Sequence, residues 1–170
     1  MHEVEVKVRA GDTLLEPVLL ALGAVAGRTV TQEDTYYQHP HRDFARSDEA
    51  LRVRHSGDRF ELTYKGPRSG GNVKSRVEFT HELDNDPAAL LQALGFVPAA
   101  GVRKTRMSWQ VGDVTVALDD VAGLGRFVEV EVVAKDPTGA AAQIESVLSS
   151  LGLNDRPRIV ESYVELQLRA

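Results

Sequence analysis

The stretch Glu3-Val4-Glu5-Val6-Lys7 alternates charged residues with valine near the start of the chain, and Val8 continues the pattern. Successive side chains of a β-strand point to opposite faces of its sheet, so alternate residues share one face. The two glutamates and the lysine are therefore predicted to line one face of a first strand, and the valines the other. The valine face suits packing against a core, which leaves the charged face for a functional site.

The composition is that of an ordinary globular protein. The chain has 170 residues, 42% of them hydrophobic and 26% charged, which suits a single domain over residues 1–170. The formal net charge of −5 argues against a general nucleic-acid-binding protein, which is usually basic. The chain contains no cysteine, which excludes disulfides and thiolate chemistry and fits a cytoplasmic location. No apolar segment is long enough to span a membrane, and we expect no signal peptide.

About eight strands are predicted, joined mostly by short connections that favour antiparallel pairing. The clearest hairpin joins residues 50–55 to 59–65, and the other strands are predicted at 1–9, 30–38, 73–83, 102–111, 114–119 and 126–134. Helices are predicted at 14–22, 86–94 and 136–151, the first with a capping box from Thr13 to Glu16 and the others opened by Asp-Pro pairs. Residues 159–168 fit either a strand or a helix.

Charged rows like the first one recur in the later strands. A solvated sheet face explains any one of them, but such faces are usually rich in threonine, serine and glutamine, whereas these rows consist of long basic and acidic side chains. Arginine is preferred where phosphate or carboxylate is bound through two hydrogen bonds. The basic members of the rows are Arg52, Arg54, Lys65, Lys74, Arg76, Lys104 and Arg106.

Acidic residues form a second set in the same rows. Glu3 and Glu5 lie on the first strand and Glu129 and Glu131 near the last, with Asp119 close by if these strands pair. Clustered carboxylates repel one another unless a hard divalent cation such as Mg²⁺ or Mn²⁺ neutralises them. Basic residues beside a carboxylate-bound metal are expected around a polyphosphate substrate. If the eight strands close into a barrel, the charged faces would enclose a ligand-sized interior.

These residues together resemble the CYTH superfamily, the triphosphate tunnel metalloenzymes. The E-x-E-x-K stretch at 3–7 is the defining element of that superfamily. Further similar blocks follow in family order over nearly the whole chain, at residues 34–37, 51–54, 62–67, 76–78, 104–106, 119–125, 127–131 and 162–166. The resemblance implies that the last of these blocks is helical.

The resemblance implies an α+β fold, namely a closed antiparallel eight-stranded β-barrel, the triphosphate tunnel, with helices packed outside. It also implies a divalent metal, Mg²⁺ or Mn²⁺, bound by Glu3, Glu5, Asp119, Glu129 and Glu131. The implied triphosphate ligands are Lys7, Arg52, Arg54, Lys65, Arg76, Lys104 and Arg106. Of these, Lys7, Lys104 and Arg106 are the predicted catalytic residues.

Within the superfamily, the blocks at 64–67, 123–129 and 162–166 resemble class IV adenylyl cyclases and their bacterial and archaeal relatives. This resemblance implies conversion of Mg- or Mn-ATP to 3′,5′-cyclic AMP and pyrophosphate. Two alternatives stay open: a metal-dependent triphosphatase acting on tripolyphosphate, a nucleoside triphosphate or thiamine triphosphate, and a non-catalytic triphosphate-binding module. We expect no nucleic-acid or membrane partner, and the apolar outer faces would permit a homodimer. The sequence identifies neither a general base nor the residues that recognise adenine.

Overall fold

A computed structural model describes residues 2–67, 77–134 and 137–169, which contain eight strands and four helices. The strands are β1 (His2–Arg9), β2 (Val25–Gln38), β3 (Ala50–Ser56), β4 (Arg59–Lys65), β5 (Glu78–Leu83), β6 (Val97–Val111), β7 (Val114–Val121) and β8 (Gly125–Ala134). The helices are α1 (Glu16–Ala21), α2 (Ala88–Ala93), α3 (Pro137–Ser150) and α4 (Tyr163–Arg169). The prediction of eight strands is confirmed, and the ambiguous C-terminal segment contains a helix. The predicted strand residues 73–76 and loop residues 68–72 lie outside the described residues.

The eight strands form one sheet in the order β1-β8-β7-β6-β2-β3-β4-β5, with antiparallel ladders between β1 and β8, β7 and β8, β6 and β7, and along β2 to β5. The predicted α+β class with antiparallel strands is confirmed. The predicted closed barrel is wrong, because the sheet has two ends, β1 and β5, and no ladder in the described ranges joins them.

The outer edge of β1 is one of the two ends of the sheet, and the sequence pattern could not show that this edge does not pair with the described residues of β5. The C-terminal segment lies at this edge, where the Ile159 amide donates to the Lys7 carbonyl over 2.8 Å in an isolated antiparallel bridge. Closure of a barrel depends on strand tilt and on the stagger of the pairing register. An alternating sequence pattern determines which face a side chain occupies but carries neither of these quantities.

Two compact units divide the chain: unit 1 comprises Met1–Val30 and Lys104–Ala170, and unit 2 comprises Thr31–Arg103. The strands β2 and β6 contribute residues to both units. Each unit has its own apolar core. The single domain expected over residues 1–170 stays a prediction.

The core of unit 1 lies on the valine face of its strands. The register pairs Val6 with Val130 and Val8 with Val128, so the valine rows of β1 and β8 share one face. Helix α3 packs over β1, β7 and β8 and places Ile144 and Leu148, both fully buried, against these valines. The same register places the charged residues of β1 and β8 together on the opposite face.

The core of unit 2 is built on the β3–β4 hairpin, whose predicted strands and turn agree closely with the structure. Its buried members are Tyr37, Phe44, Leu51, Val53 and Leu91. Helix α2 contributes Leu91 to this core and ends before Gly95, which adopts a positive φ of 90° that favours glycine. Within the described residues, no helix combines the length and the apolar composition that crossing a membrane requires.

Two local predictions at the N-terminal end of the chain are wrong. Helix α1 begins at Glu16 with Leu15 at the N-cap and no side-chain cap, so the predicted capping box from Thr13 is absent. Burial of Leu15 and Leu19 in the core positions the helix instead. Strand β2 begins at Val25 and not at the predicted residue 30, and it contains Gly27, where a Cβ atom would lie 3.0 Å from the Ser108 carbonyl oxygen. Glycine therefore permits the close approach of two strands.

Replacing Leu148 with alanine should lower the free energy of unfolding by about 2–5 kcal/mol, because the side chain is fully buried in the unit 1 core and its removal leaves a cavity. Urea unfolding followed by circular dichroism measures this loss. The matched control is Leu168→Ala, where the side chain is 75% exposed and the change should stay within about 0.5 kcal/mol. Equal losses in both variants would contradict the assignment of the core to this face.

Candidate active site

The charged face of unit 1 gathers the residues predicted from β1, β6, β7 and β8. Register pairs Lys7 with Glu129, Glu5 with Glu131, and Arg106 with Asp119. Lys104 lies two residues before Arg106 and therefore on the same face of β6. Strand pairing thus brings together charged residues that are as much as 126 positions apart in the sequence, as Glu5 and Glu131 are.

Asp119 is the centre of this face and accepts hydrogen bonds from three residues. Lys104 Nζ lies 2.8 Å from Oδ2, and the Arg106 guanidinium donates through Nε to Oδ1 over 2.7 Å and through Nη2 to Oδ2 over 2.6 Å. The Tyr163 hydroxyl donates to Oδ2 over 2.9 Å. Burial alone would raise the pKa of Asp119, but the Arg106 hydrogen bonds and the charges of Lys104 and Arg106 lower it to about 2. The carboxylate therefore stays ionised.

Glu129 is the second buried acid and lies between Lys7 and Arg106. Lys7 Nζ is 3.2 Å from Oε1, and Arg106 Nη2 donates to Oε2. Burial opposes ionisation of Glu129, but the charges of Arg106, Lys104 and Lys7 lower its pKa below the ordinary value. Conversely, Asp119 and Glu129 overcome the effect of burial on Arg106 and raise its pKa.

This group of charges is buried to an extent that structural ion pairs seldom reach. The side chains of Lys7 and Lys104 are 8% and 3% exposed, and that of Asp119 is fully buried. Removing a charge from water costs several kcal/mol per ion in real proteins, and the attraction between partners does not always offset this cost. Buried clusters of perturbed ionisable groups therefore mark candidate functional sites. Here three cations meet two buried acids, which favours binding of an anion.

The two remaining acids suit a metal ion better than the two buried ones. Glu5 and Glu131 are directly opposite each other on adjacent strands, an arrangement in which like charges repel. Glu5 is 37% exposed in its side chain, and Glu131 is half-buried. Oxygen ligands from carboxylates and water suit Mg²⁺ or Mn²⁺. A divalent ion therefore fits the Glu5–Glu131 pair, with the Glu3 backbone two residues before Glu5 on β1.

The structure describes the side chains of four of the five predicted metal-site acids, namely Glu5, Asp119, Glu129 and Glu131. Asp119 and Glu129 are bonded to cationic side chains. Glu5 lies 3.8 Å from Lys7 Nζ and is opposite Glu131 further along the strands. In the part of the chain that the structure describes, no three His, Asp or Glu side chains are placed so that they could hold a metal ion. The Asp119 contacts favour a role in orienting cations, and the assignment of the set stays a prediction.

Unit 2 has a charged group of its own around Asp34. Arg54 binds this carboxylate through two hydrogen bonds of 2.6 and 2.8 Å, and Arg52 binds Glu61 and, over 3.2 Å, the Thr63 hydroxyl. The Arg52 Nε atom is buried and has no acceptor among the described residues. A donor without an acceptor costs free energy unless a ligand supplies one. This observation suits the predicted phosphate-binding role of Arg52.

The other predicted basic residues of unit 2 are less well defined. Lys65 lies at the end of β4 and forms an ion pair of 2.9 Å with Glu78 across the β4–β5 ladder. Lys74 and Arg76 lie outside the described residues. Tyr36 is directly opposite Arg52 in the register, and burial together with the Asp34 charge raises the pKa of its hydroxyl. Tyr37 is the core residue of this pair.

Tyr163, the first residue of α4, is the site residue that the sequence analysis missed. Its ring packs edge-on against the Phe127 ring, with 5.0 Å between the two centroids. The ammonium nitrogens of Lys7 and Lys104 lie over the Tyr163 ring, 4.5 and 4.9 Å from its centroid. Burial and the charges of Glu129 and Asp119 raise the pKa of the hydroxyl, which therefore stays a donor. In the sequence, residues 162–166 form a family block that implies a helix, but this block gave no indication that Tyr163 contacts the charged residues.

A cavity of about 180 Å³ lies beside Asp119 in unit 1. Its lining includes Glu16, Thr29, Asp120 and Arg126. Lys7, Lys104 and Arg106 do not line it. A site for a drug-sized ligand or a nucleotide usually measures ~300–1,000 Å³. The cavity is therefore too small and wrongly lined to hold a nucleotide triphosphate.

The lowered pKa of Asp119 predicts a pH dependence of stability. Because the folded pKa of about 2 lies below the ordinary 3.8, the stabilisation is complete above about pH 4 and is lost as pH falls through about 2. The shift corresponds to roughly 2 kcal/mol. Urea unfolding between about pH 5 and about pH 2 should show that Asp119→Asn loses roughly 2 kcal/mol less than wild type. The exposed Asp113→Asn variant should keep the wild-type slope, and a wild-type slope in Asp119→Asn would contradict the prediction.

Comparison with known proteins identifies the family. Residues 1–163 match the CYTH domain, and this chain belongs to the CYTH family. "Putative adenylate cyclase MJ0240" of Methanocaldococcus jannaschii is 33% identical over 98% of this chain and 99% of its own length. "Adenylate cyclase CyaB" of Aeromonas hydrophila is 27% identical over 95% of this chain and 86% of its own length.

A solved structure shares the fold of this chain. The PH1819 protein of Pyrococcus horikoshii is 36% identical to this chain, with a TM-score of 0.82 and coverage of 99% of both chains. The sequence-based recognition of the CYTH superfamily is therefore confirmed. Membership of this family implies a divalent metal ion as cofactor.

Proposed function

We propose that this protein is a metal-dependent adenylyl cyclase that converts ATP to 3′,5′-cyclic AMP and pyrophosphate. The observation that carries triphosphate recognition is the buried group of Lys7, Lys104 and Arg106 on one face of unit 1. The adenylate cyclase names of two relatives matched over nearly the whole chain support the cyclising reaction. A cytoplasmic location and a homodimer stay predictions.

In the proposed reaction the ribose 3′-hydroxyl attacks the α-phosphorus, and the bond from that phosphorus to the pyrophosphate oxygen breaks. Charge develops on the phosphate oxygens, and cations already held in place stabilise it without reorganisation. Asp119 and Glu129 hold the side chains of Lys7, Lys104 and Arg106 in place before the substrate binds. Those cations are the proposed catalytic residues, and the proposed further substrate ligands are Arg52, Arg54, Lys65 and Arg76.

A bound Mg²⁺ or Mn²⁺ would neutralise phosphate charge and lower the pKa of the attacking hydroxyl. Glu5 and Glu131 are the residues proposed to hold it, since they face each other across two strands and are more exposed than Glu129. Glu3 is the next acid along β1 and is proposed as a further ligand.

A second candidate is a triphosphatase, in which water attacks the terminal phosphorus of tripolyphosphate, a nucleoside triphosphate or thiamine triphosphate. The observation that favours it is the character of the unit 1 group: in the described part of the chain, the side chains that contact Asp119 or Glu129 include three cations, Lys7, Lys104 and Arg106, and the phenol of Tyr163. Such donors bind phosphate oxygens and do not recognise the group that is attached to the triphosphate.

Product analysis separates these functions. The purified protein is incubated with Mg²⁺ or Mn²⁺ and either ATP, 3′-deoxy-ATP or inorganic tripolyphosphate, and the products are resolved by chromatography. Cyclic AMP with pyrophosphate from ATP, and no product from 3′-deoxy-ATP, is the expected result because the analogue lacks the attacking hydroxyl. Orthophosphate from all three substrates would establish the triphosphatase instead. Binding of tripolyphosphate without turnover of any of them would leave a non-catalytic binding module.

A further inference from the structure

Tyr163 lies at the meeting point of the buried charges without being one of the charged residues. Its hydroxyl is one of three donors to Asp119, and its ring lies within 5 Å of the ammonium groups of Lys7 and Lys104. A cation over an aromatic face is attracted by the ring quadrupole, and the attraction is stronger when water is excluded. One phenol therefore restrains two lysines that come from strands at different positions in the sheet.

The surrounding chain fixes Tyr163 in this position from both sides. A capping box starts α4: the Glu165 carboxylate accepts from the Ser162 amide and hydroxyl over 2.7 Å, and the Ser162 hydroxyl accepts from the Glu165 amide over 3.3 Å. Lys7 Nζ donates to the Glu161 carbonyl, just before α4, over 3.2 Å. Towards the end of α4, the side-chain amide of Gln167 donates to the Ala122 carbonyl. The ring is 7% exposed and has little freedom to move.

We propose that Tyr163 is a positioning residue for the triphosphate site: its ring aligns the Lys7 and Lys104 ammonium groups, and its hydroxyl holds Asp119. This inference rests on the proposed function, because it concerns the cations that bind the triphosphate. Without the ring, each lysine side chain regains rotamer freedom and must be ordered again when substrate binds. If only the hydroxyl is removed, Asp119 loses one hydrogen bond and keeps its cationic partners. It then binds Lys104 and Arg106 more strongly, which makes these side chains less available to the substrate.

Two variants of Tyr163 separate the two contributions. Tyr163→Phe removes the hydroxyl and keeps the ring, and we expect about 3-fold weaker binding of inorganic tripolyphosphate in the presence of Mg²⁺. Tyr163→Leu removes both, and we expect binding weaker by about 10-fold to 100-fold. Calorimetric titration well below the unfolding temperature measures the affinity, and steady-state kinetics should place most of the loss in KM. The matched control is Leu148→Ala, which destabilises unit 1 from the opposite face of its strands and should leave the affinity unchanged.

The ring position has an independent signature in nuclear magnetic resonance. The ε-methylene protons of Lys7 and Lys104 should be shifted upfield by the Tyr163 ring current in wild type and in Tyr163→Phe, but not in Tyr163→Leu. Wild-type affinity in Tyr163→Leu, or unshifted lysine protons in wild type, would overturn the positioning role while the proposed function stands. Failure of the wild-type protein to bind tripolyphosphate would overturn the proposed function itself, and with it this inference.

Discussion

Replacing Arg106 with alanine should lower kcat/KM for the triphosphate substrate by about 1,000-fold, the effect expected when a preorganised donor to developing charge is lost. Arg106 binds both Asp119 and Glu129, so its removal also leaves two buried carboxylates with fewer partners. Breaking a buried ion pair in this way costs about 3–5 kcal/mol of stability. Steady-state kinetics with ATP or tripolyphosphate measures the first effect, and urea unfolding the second.

Two further variants keep this prediction decisive if Arg106→Ala folds poorly. Arg106→Lys keeps the charge but cannot form the two-bonded contact with Asp119, so it should fold and still lose at least about 10-fold in kcat/KM. The matched control is Arg103→Ala on the same strand, where the side chain is 69% exposed and pairs with Glu33. Activity within about 2-fold of wild type is expected there, since exposed pairs contribute little. Full activity in Arg106→Lys would remove Arg106 from the proposed catalytic residues.

Replacing Glu5 or Glu131 with glutamine should lower turnover by at least about 100-fold, because a bound metal contributes several kcal/mol to stabilisation of the transition state. Activity should return in part when the Mg²⁺ or Mn²⁺ concentration is raised, which identifies metal binding as the step affected. Titration of activity against metal concentration measures the shift. The double variant should be little worse than either single one, since both carboxylates serve the same ion.

The stability of the same variants should behave differently from that of Arg106→Ala. Glu5 and Glu131 face each other with like charge. Replacing either one with glutamine should therefore change the free energy of unfolding of the metal-free protein by less than about 1 kcal/mol. The exposed Glu145→Gln variant on α3 is the control and should match wild type in both activity and metal dependence. A large loss of metal-free stability with unchanged metal dependence would show that the pair is structural.

The charged face could be predicted because it depends on a local rule. Strand periodicity alone assigns Lys7 and Glu5 to one face and Val6 to the other, and the register of β1 with β8 agrees. The prediction also separated Leu51 and Val53, which lie in the unit 2 core, from Arg52 and Arg54. Long-range pairing was then needed to bring Lys7 to Glu129, and the family resemblance supplied the expectation that these strands belong together.

The features that were missed depend on three-dimensional packing. Tyr163 has an unremarkable apolar and phenolic side chain on a short helix, and only the path of the C-terminal segment places it over Lys7 and Lys104. Asp119 was predicted as a metal ligand because carboxylates bind metal, but its contact with three donors depends on the rotamers of its neighbours. The capping box at Thr13 failed because core burial of Leu15 outweighed a local preference.

The bridge between Ile159 and Lys7 has a consequence for the outer edge of β1. A terminal strand of a sheet exposes unpaired amides and carbonyls, which can template pairing with another molecule and begin aggregation. Here the C-terminal segment takes up the Lys7 carbonyl, and the Lys7 side chain in turn binds the Glu161 carbonyl. The segment around Ile159 and Glu161 thus covers one position of this edge strand and also contacts the Lys7 side chain, so the edge and the charged face share one short neighbouring segment.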